Sequence, residues 1–378
     1  MPLSAVKPDD YDALLAAKAA GVCALMAPFC PPQPTIVPSP PTGYRMRAEF
    51  RIWHEGDDLY YAMFRRDAPK SPVRITEFPI ACVAIQAVMP ALLRELRHSE
   101  TLRHKLFQVE FLSTLTGETL VTLIYHRKLD EAWQSEAIAL STSLNIKIVG
   151  RSRKQKLILA EDYVTEELPV AGHTYVYRQY EQSFTQPNAA VNIRMIEWAM
   201  DAADALSGDL LELYCGNGNF TLPLARQFNR VIATELSKVS TRAARHNLSV
   251  NSVSNVEIIR LAAEEVVQAM AGEREFRRLR DLTKPLADYH LETVFVDPPR
   301  AGLDPSTLSM VKQFHAIIYI SCNPNTLAEN LHTLNTTHRV TRFALFDQFP
   351  YTHHMECGVL LERRAEHETV DHRLEEDR

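Results

Sequence analysis

The stretch that most constrains this chain is 209–220, which begins as an apolar run carrying one carboxylate: Leu210, Leu211, Glu212, Leu213. Such a run reads as a buried strand. It opens into a tight loop holding Gly216 and Gly218, where a backbone without Cβ lets a ligand come close. A helix is expected over 222–228. Strand, glycine loop and helix form the opening unit of a nucleotide-binding doubly wound sheet. The loop is not G-x-G-x-x-G, so taken alone it also fits an ordinary turn in an α/β protein. A second strand, 230–235, then ends in Glu235, 23 positions after Glu212. A carboxylate there is placed to take the two hydroxyls of a bound ribose.

Beyond this point strand and helix alternate regularly, with strands expected at 209–214, 231–235, 256–260, 292–297, 315–320, 340–347 and 356–362. A charged insertion, 274–289, breaks the rhythm, and 366–378 reads as a disordered tail. The first half is patterned differently. Residues 10–26 have helical spacing until Cys30-Pro-Pro-Gln-Pro34 breaks it. From Tyr44 to Trp53 the residues alternate, with Arg45, Arg47, Glu49 and Arg51 on one face and Met46, Ala48, Phe50 and Ile52 on the other. A partner strand returns over 59–64, helices follow at 81–96 and 129–144, and further strands at 105–112 and 119–125. The expectation is an α+β domain over 1–185 and an α/β, doubly wound, Rossmann-like domain over 186–365.

Three features narrow the function. With 378 residues and a net charge of −6, the chain is not a generally basic nucleic-acid binder, so any RNA contact must be a local patch. The arginine face of 45–51 and the run 151–156, with Arg151 and Lys154, are the candidates, although a basic run is as often a solvated loop. Phe107 could stack on an unpaired base or belong to the core. Six cysteines with no C-x-x-C pair point to a reducing, cytoplasmic compartment. No 18-residue apolar run is expected, hence no membrane.

The chemistry-bearing residues fall at strand ends. Asp297-Pro-Pro-Arg300 follows one strand and Ser321-Cys-Asn-Pro324 the next, so Asp297 and Cys322 should reach the crevice occupied by Gly216 and Glu235. Asp-Pro-Pro resembles the motif by which methyltransferases hold a planar base, but amino-methylating members follow it with an aromatic residue, and here Arg300 stands there. His353 and His354 precede Glu356; adjacent strand residues point opposite ways and the spacing fits no usual zinc site, so no metal is expected.

Together, Phe184-Thr-Gln-Pro-Asn188, the 212–220 loop, Asp297-Pro-Pro-Arg300, Ser321-Cys-Asn-Pro324 and His353-His-Met-Glu-Cys357 resemble the class I AdoMet-dependent RNA uridine-5-methyltransferases, and within them the bacterial tRNA-acting branch. The resemblance covers about 10–362 and implies S-adenosyl-L-methionine (AdoMet) as methyl donor and the T-loop uridine of tRNA as substrate. It implies Cys322 as nucleophile, Glu356 as proton acceptor, and Gln186, Tyr214, Gly216, Asn219, Glu235 and Asp297 around the cofactor. Arg45, Arg47, Arg51, Phe107, Arg151 and Lys154 are expected to face the RNA. Relatives acting on 23S rRNA carry an iron–sulfur cysteine cluster that this sequence lacks, so no such cluster is expected. A monomer acting on the T-arm is expected, and whether other RNAs with a T-loop-like arm are acceptors stays open on the sequence. Two other readings stay open on the residues alone: an amino methyltransferase of adenine or guanine, and an RNA-binding module without turnover.

Overall fold

The computed structural model describes residues 6–65 and 67–365. It forms two compact units, one built from 40–168 and 178–190 with the segment up to Tyr11, the other from 12–39, 169–177 and 191 onward. The tail expected over 366–378 lies outside the described residues.

This division departs from the expected single break near 185. Helix α1 (Tyr11–Met26) and strand β1 (Thr35–Val37) precede the first large sheet, yet residues 12–39 count with the second unit. β1 runs parallel to the strand His338–Phe346, with Thr35 opposite Ala344 and Val37 opposite Phe346. Three residues carry too little alternation to announce a strand. With its flanking turns α1 makes a continuous helix, Pro8–Phe29, of 22 residues, long and apolar enough by length and composition to cross a membrane. That corrects the expectation that no such run exists. Ala19, Val22, Met26 and Phe29 on this helix pack into the core of the second unit.

The first unit holds a seven-stranded sheet of β2 (Arg47–Glu55), β3 (Asp58–Arg65), β4 (Ala68–Ile75), β5 (Leu106–Ser113), β6 (Thr119–Tyr125), β7 (Lys147–Ser152) and β8 (Gln155–Ile158), ordered β4-β3-β2-β5-β6-β7-β8. Neighbours are antiparallel except β6 and β7, which the helix Glu131–Leu144 connects as a crossover. β4 carries Pro69 and Pro72, which cannot donate to a ladder, and it accordingly sits at the sheet edge. Phe50 packs against Tyr61 and Phe111 in the core, with ring centroids 5.2 and 6.2 Å away. The alternation read over 44–53 holds: Met46, Ala48, Phe50 and Ile52 are buried. β9 (Tyr163–Val170) and β10 (His173–Tyr180) form a separate two-stranded sheet.

The second unit is organised by β11 (Asp209–Leu213), β12 (Val231–Thr234), β13 (Val256–Ile259), β14 (Leu291–Val296), β15 (Ala316–Ser321), β16 (His338–Phe346) and β17 (Glu356–Arg363). Their order is β1-β16-β17-β15-β14-β11-β12-β13, with β17 antiparallel to both neighbours and the other pairs parallel. All seven strands expected in this half are present. β11 is buried at every position, as its apolar run requires of a strand covered on both faces. The helix expected over 222–228 contracts to Thr221–Leu224. After Pro223 the chain tightens into three-residue steps, Arg226 N–H to Pro223 O at 3.3 Å and Gln227 N–H to Leu224 O at 2.9 Å.

Candidate active site

In a parallel sheet the carboxyl ends of the strands share one edge. β11 delivers Tyr214 to that edge, β12 delivers Glu235, β14 Asp297 and β15 Cys322. β17 enters from the opposite direction, so its first residue, Glu356, arrives at the same edge. Ser321 pairs with Cys357 at the end of the β15–β17 ladder, so Cys322 and Glu356 are each the residue next to that pair.

The glycine loop forms an open cradle. Tyr214 and Gly216 have positive φ, 61° and 57°, and Gly218 has 87°. For tyrosine this costs about 1–3 kcal/mol, a strain that tends to be kept where a loop must hold a ligand. A Cβ on Gly216 would meet nothing within 4 Å, whereas one on Gly218 would come 2.7 Å from Leu222 Cδ1. The first glycine thus faces free space and the second allows close packing. Glu235 Oε2 accepts from Gly216 N–H at 3.1 Å and its Oε1 from Ser237 N–H at 2.6 Å, which fixes the carboxylate beside the loop. Leu236, next along, is 63% exposed, an apolar surface beside an acid. This set suits a ribose-bearing cofactor with a flat base. Asn219 is different: its amide exchanges two hydrogen bonds of 2.9 Å with Asn192, and Tyr177 Oη donates to its carbonyl at 3.0 Å. Asn219 braces the loop with its side chain already engaged. Gln186 belongs to the other unit, and its Oε1 is buried without a partner.

Acids crowd this edge. Glu356 is 3% exposed and its Oε2 has no hydrogen-bond partner. Burial first, and then the charge of Asp297, push its carboxyl up to about 8, against a smaller downward pull from Arg300. Burial likewise pushes Asp297 up to about 7. The Cys322 thiol is half-buried and pushed up to about 11, by burial and then by Glu356 and Asp297, with Arg300 opposing. One sheet position inward, the fully buried Glu212 is raised to about 8 by burial and by Asp297, and its Oε2 is unpartnered. Closely spaced acids cannot all ionise, so this edge retains protons near neutrality. Arg300 is the cation acting on both Cys322 and Glu356. Sequence reasoning noted Arg300 only for the aromatic residue it replaces. Its backbone is fixed from the Cys322 turn, Asn323 Nδ2 donating to Arg300 O at 3.0 Å.

On the first unit, the residues expected to face RNA separate into two groups. Arg47 donates to Glu181 O at 2.7 Å and to Ser183 O, and Arg45 Nε donates to Arg47 O at 2.8 Å. Arg151 pairs with the buried Glu181, which also takes Lys156 at 2.8 Å. Arg45, Arg47 and Arg151 therefore spend hydrogen bonds inside the unit. Arg51 and Phe107 do not: the Arg51 guanidinium carbon lies 3.7 Å over the Phe107 ring, and that ring stacks on His126 at 4.0 Å. His126 joins Arg127, Lys128, Arg153 and Lys154 in lining a groove of about 920 Å³. Sequence patterning could not find His126, because it lies just past β6, outside the alternating stretch.

A family profile described as tRNA (Uracil-5-)-methyltransferase matches residues 10–364. The tRNA/tmRNA (uracil-C(5))-methyltransferase of Cronobacter sakazakii is 55% identical over 361 residues, 94% of this chain and 98% of that protein. The protein of the same name from Shewanella denitrificans is 55% identical over 368 residues, 96% and 100% of the two chains. Among solved structures, the Pyrococcus abyssi tRNA (uracil-54, C5)-methyltransferase in complex with S-adenosyl-L-homocysteine shares the fold at a TM-score of 0.70. That match has 20% identity over 93% of this chain and 83% of the other.

Proposed function

The chain belongs to the tRNA (uracil-5-)-methyltransferase family, and from that premise we propose that it methylates C5 of the T-loop uridine, position 54, of tRNA, forming 5-methyluridine. RNAs with a similar arm, as the tmRNA in the relatives' name suggests, are further acceptors. AdoMet, when bound, supplies the electrophilic methyl group. Glu235 would take its ribose hydroxyls, Leu236 would lie against its base, and the loop from Tyr214 to Gly218 would pass under its amino-acid part. A bound sulfonium and ammonium would favour the ionised forms of these acids, as Arg300 does for Glu356.

The observation that carries the mechanism is that Cys322 and Glu356 flank the Ser321–Cys357 pair, with the Glu356 charge acting on the Cys322 thiol. Uracil C5 is a weak nucleophile. Addition of the Cys322 thiolate to C6 turns the ring into an enolate whose C5 can take the methyl group. Glu356 then takes the proton left on C5, and the C6–S bond breaks, restoring the C5–C6 double bond and releasing Cys322 as the thiolate. The raised pKa values bear on both roles. A thiol at about 11 is not a standing thiolate, which protects it from unwanted chemistry until a substrate is in place. A carboxyl near 8 is basic enough to accept a carbon-bound proton once ionised. Arg300 favours both anions. Because the uridine of a folded arm is stacked, it must be flipped to reach this edge. The Arg51–Phe107–His126 stack, with Arg153 and Lys154 beside it, is the surface proposed to hold the arm.

The test is methyl transfer from AdoMet to a tRNA transcript, followed by nucleoside mass spectrometry. The reading requires 5-methyluridine, lost when the position-54 uridine is replaced by cytidine. A methylated adenosine or guanosine would install the amino-methyltransferase reading instead.

A further inference from the structure

The charged insertion at 274–289 takes no part in the site described above. Together with the helix Lys238–Val250 and the end of β13 it encloses a groove of about 710 Å³ in the second unit. Five cations line it, Lys238, Arg242, Arg245, Arg260 and Arg278, against one carboxylate, Asp281. Lys238, Arg242 and Arg245 recur at i, i+4 and i+7 and so share one face of their helix. Arg245 donates to Ile258 O at 2.9 Å and Arg278 to Arg260 O at 2.8 Å. Those acceptors are neutral carbonyls, which orient the guanidinium groups without cancelling their charge. Lys238 and Arg260 have no ion-pair partner among the described residues.

Elsewhere on this chain of net charge −6, basic side chains such as Arg97, Lys147 and Arg151 sit against carboxylates. A concave surface lined by five cations and one carboxylate in such a chain is a stored electrostatic attraction for a polyanion. The lining contains no aromatic ring, so it offers no aromatic platform of the kind that holds unpaired bases. The space is also too large for a single small ion. We infer that this groove binds the phosphate backbone of the RNA substrate outside its target loop, a sequence-independent contact that rests on the RNA reading above. It would position the RNA and add affinity while carrying no sequence information.

The test uses the full chain, full-length tRNA and the double variant K238Q/R260Q, which changes two unpaired side chains outside the catalytic machinery. Thermal melting checks that the variant is folded. Its tRNA affinity at about 0.1 M salt should fall roughly tenfold, and the slope of log affinity against log salt should flatten by about 1.4–1.8, two phosphate contacts at about 0.7–0.9 each. AdoMet affinity, and the methylation rate at saturating tRNA, should stay as in the wild type. Unchanged tRNA affinity and slope would overturn the inference. So would a loss of AdoMet affinity alone, which would assign the groove to the cofactor. Inorganic phosphate is compared with chloride at equal ionic strength as a second arm; specific competition by phosphate, absent in the variant, would assign the groove to a free anion instead. A wild-type protein that neither binds nor methylates tRNA would overturn the functional reading along with the groove, and the wild-type assay tells that failure apart.

Discussion

At the catalytic edge, Asp297, Cys322 and Glu356 are acids crowded against a single guanidinium and drawn away from water. On the seven-stranded sheet, Arg51, Phe107 and His126 form a stack in which cation and ring meet at 3.7 Å. The first region stores protons, because burial penalises every charge it holds. The second offers aromatic and cationic surface at little electrostatic cost. On the proposed function the contrast separates two tasks: bond-making needs groups whose protonation changes during the reaction, whereas holding an RNA needs surface that is the same before and after.

The comparison breaks most sharply at Cys322. Cys322→Ala should abolish methyl transfer while leaving AdoMet and tRNA affinities near wild type, as measured by calorimetry and filter binding. Residual turnover would move the nucleophile elsewhere. Glu235→Ala should come next, weakening AdoMet binding by about 1.5–3 kcal/mol, the scale of hydrogen bonds to a charged group. An unaltered AdoMet affinity would remove Glu235 from the cradle. Phe107→Ala should cost about 1–3 kcal/mol in RNA affinity, one stacked base's worth, with the rate at saturating RNA unchanged. If that variant lost rate and kept affinity, the stack would belong to the chemistry and the two regions would not divide as described.

The smallest effect concerns stability and is confined to the acid-rich edge. Glu356 titrates near 8 in the folded protein against an ordinary value of 4.5. Its neutral form therefore favours the fold, fully below the unfolded value, and that contribution is lost as pH rises from about 4.5 through about 8. Glu356→Gln, neutral throughout, should raise stability by roughly 1–3 kcal/mol at about pH 9 and make no difference near pH 4. Melting curves at the two pH values check this. The same substitution of an exposed acid such as Glu131 should change neither.

The division also governs what the sequence could reveal. The parallel strands were legible because each is a buried apolar run, and Asp297, Cys322 and Glu356 were legible because each sits where such a run begins or ends. What pattern reading reports is the face a residue occupies and not the partner it finds there. Arg47 and Arg151 lay on the right elements, yet both are held by the 181–185 segment, far along the chain. Asn219 sat in the right loop, but Asn192 had already claimed its amide. Residues 12–39 joined the second unit through a three-residue strand and one side of α1, signals too short for periodicity. Arg300 acts through electrostatics on two groups distant in sequence, and no spacing rule points to it.

The central claim is that Cys322 and Glu356, brought to one edge by β15 and β17, carry two successive steps of one reaction. The most direct measurement is a denaturing gel of Glu356→Gln incubated with tRNA and AdoMet. Glu356 is needed only after C5 has been methylated, so this variant should still add to C6 and should accumulate a denaturation-resistant protein–RNA complex that the Cys322→Ala/Glu356→Gln double variant lacks. Normal turnover by Glu356→Gln, or its complete inactivity without any such complex, would contradict the account.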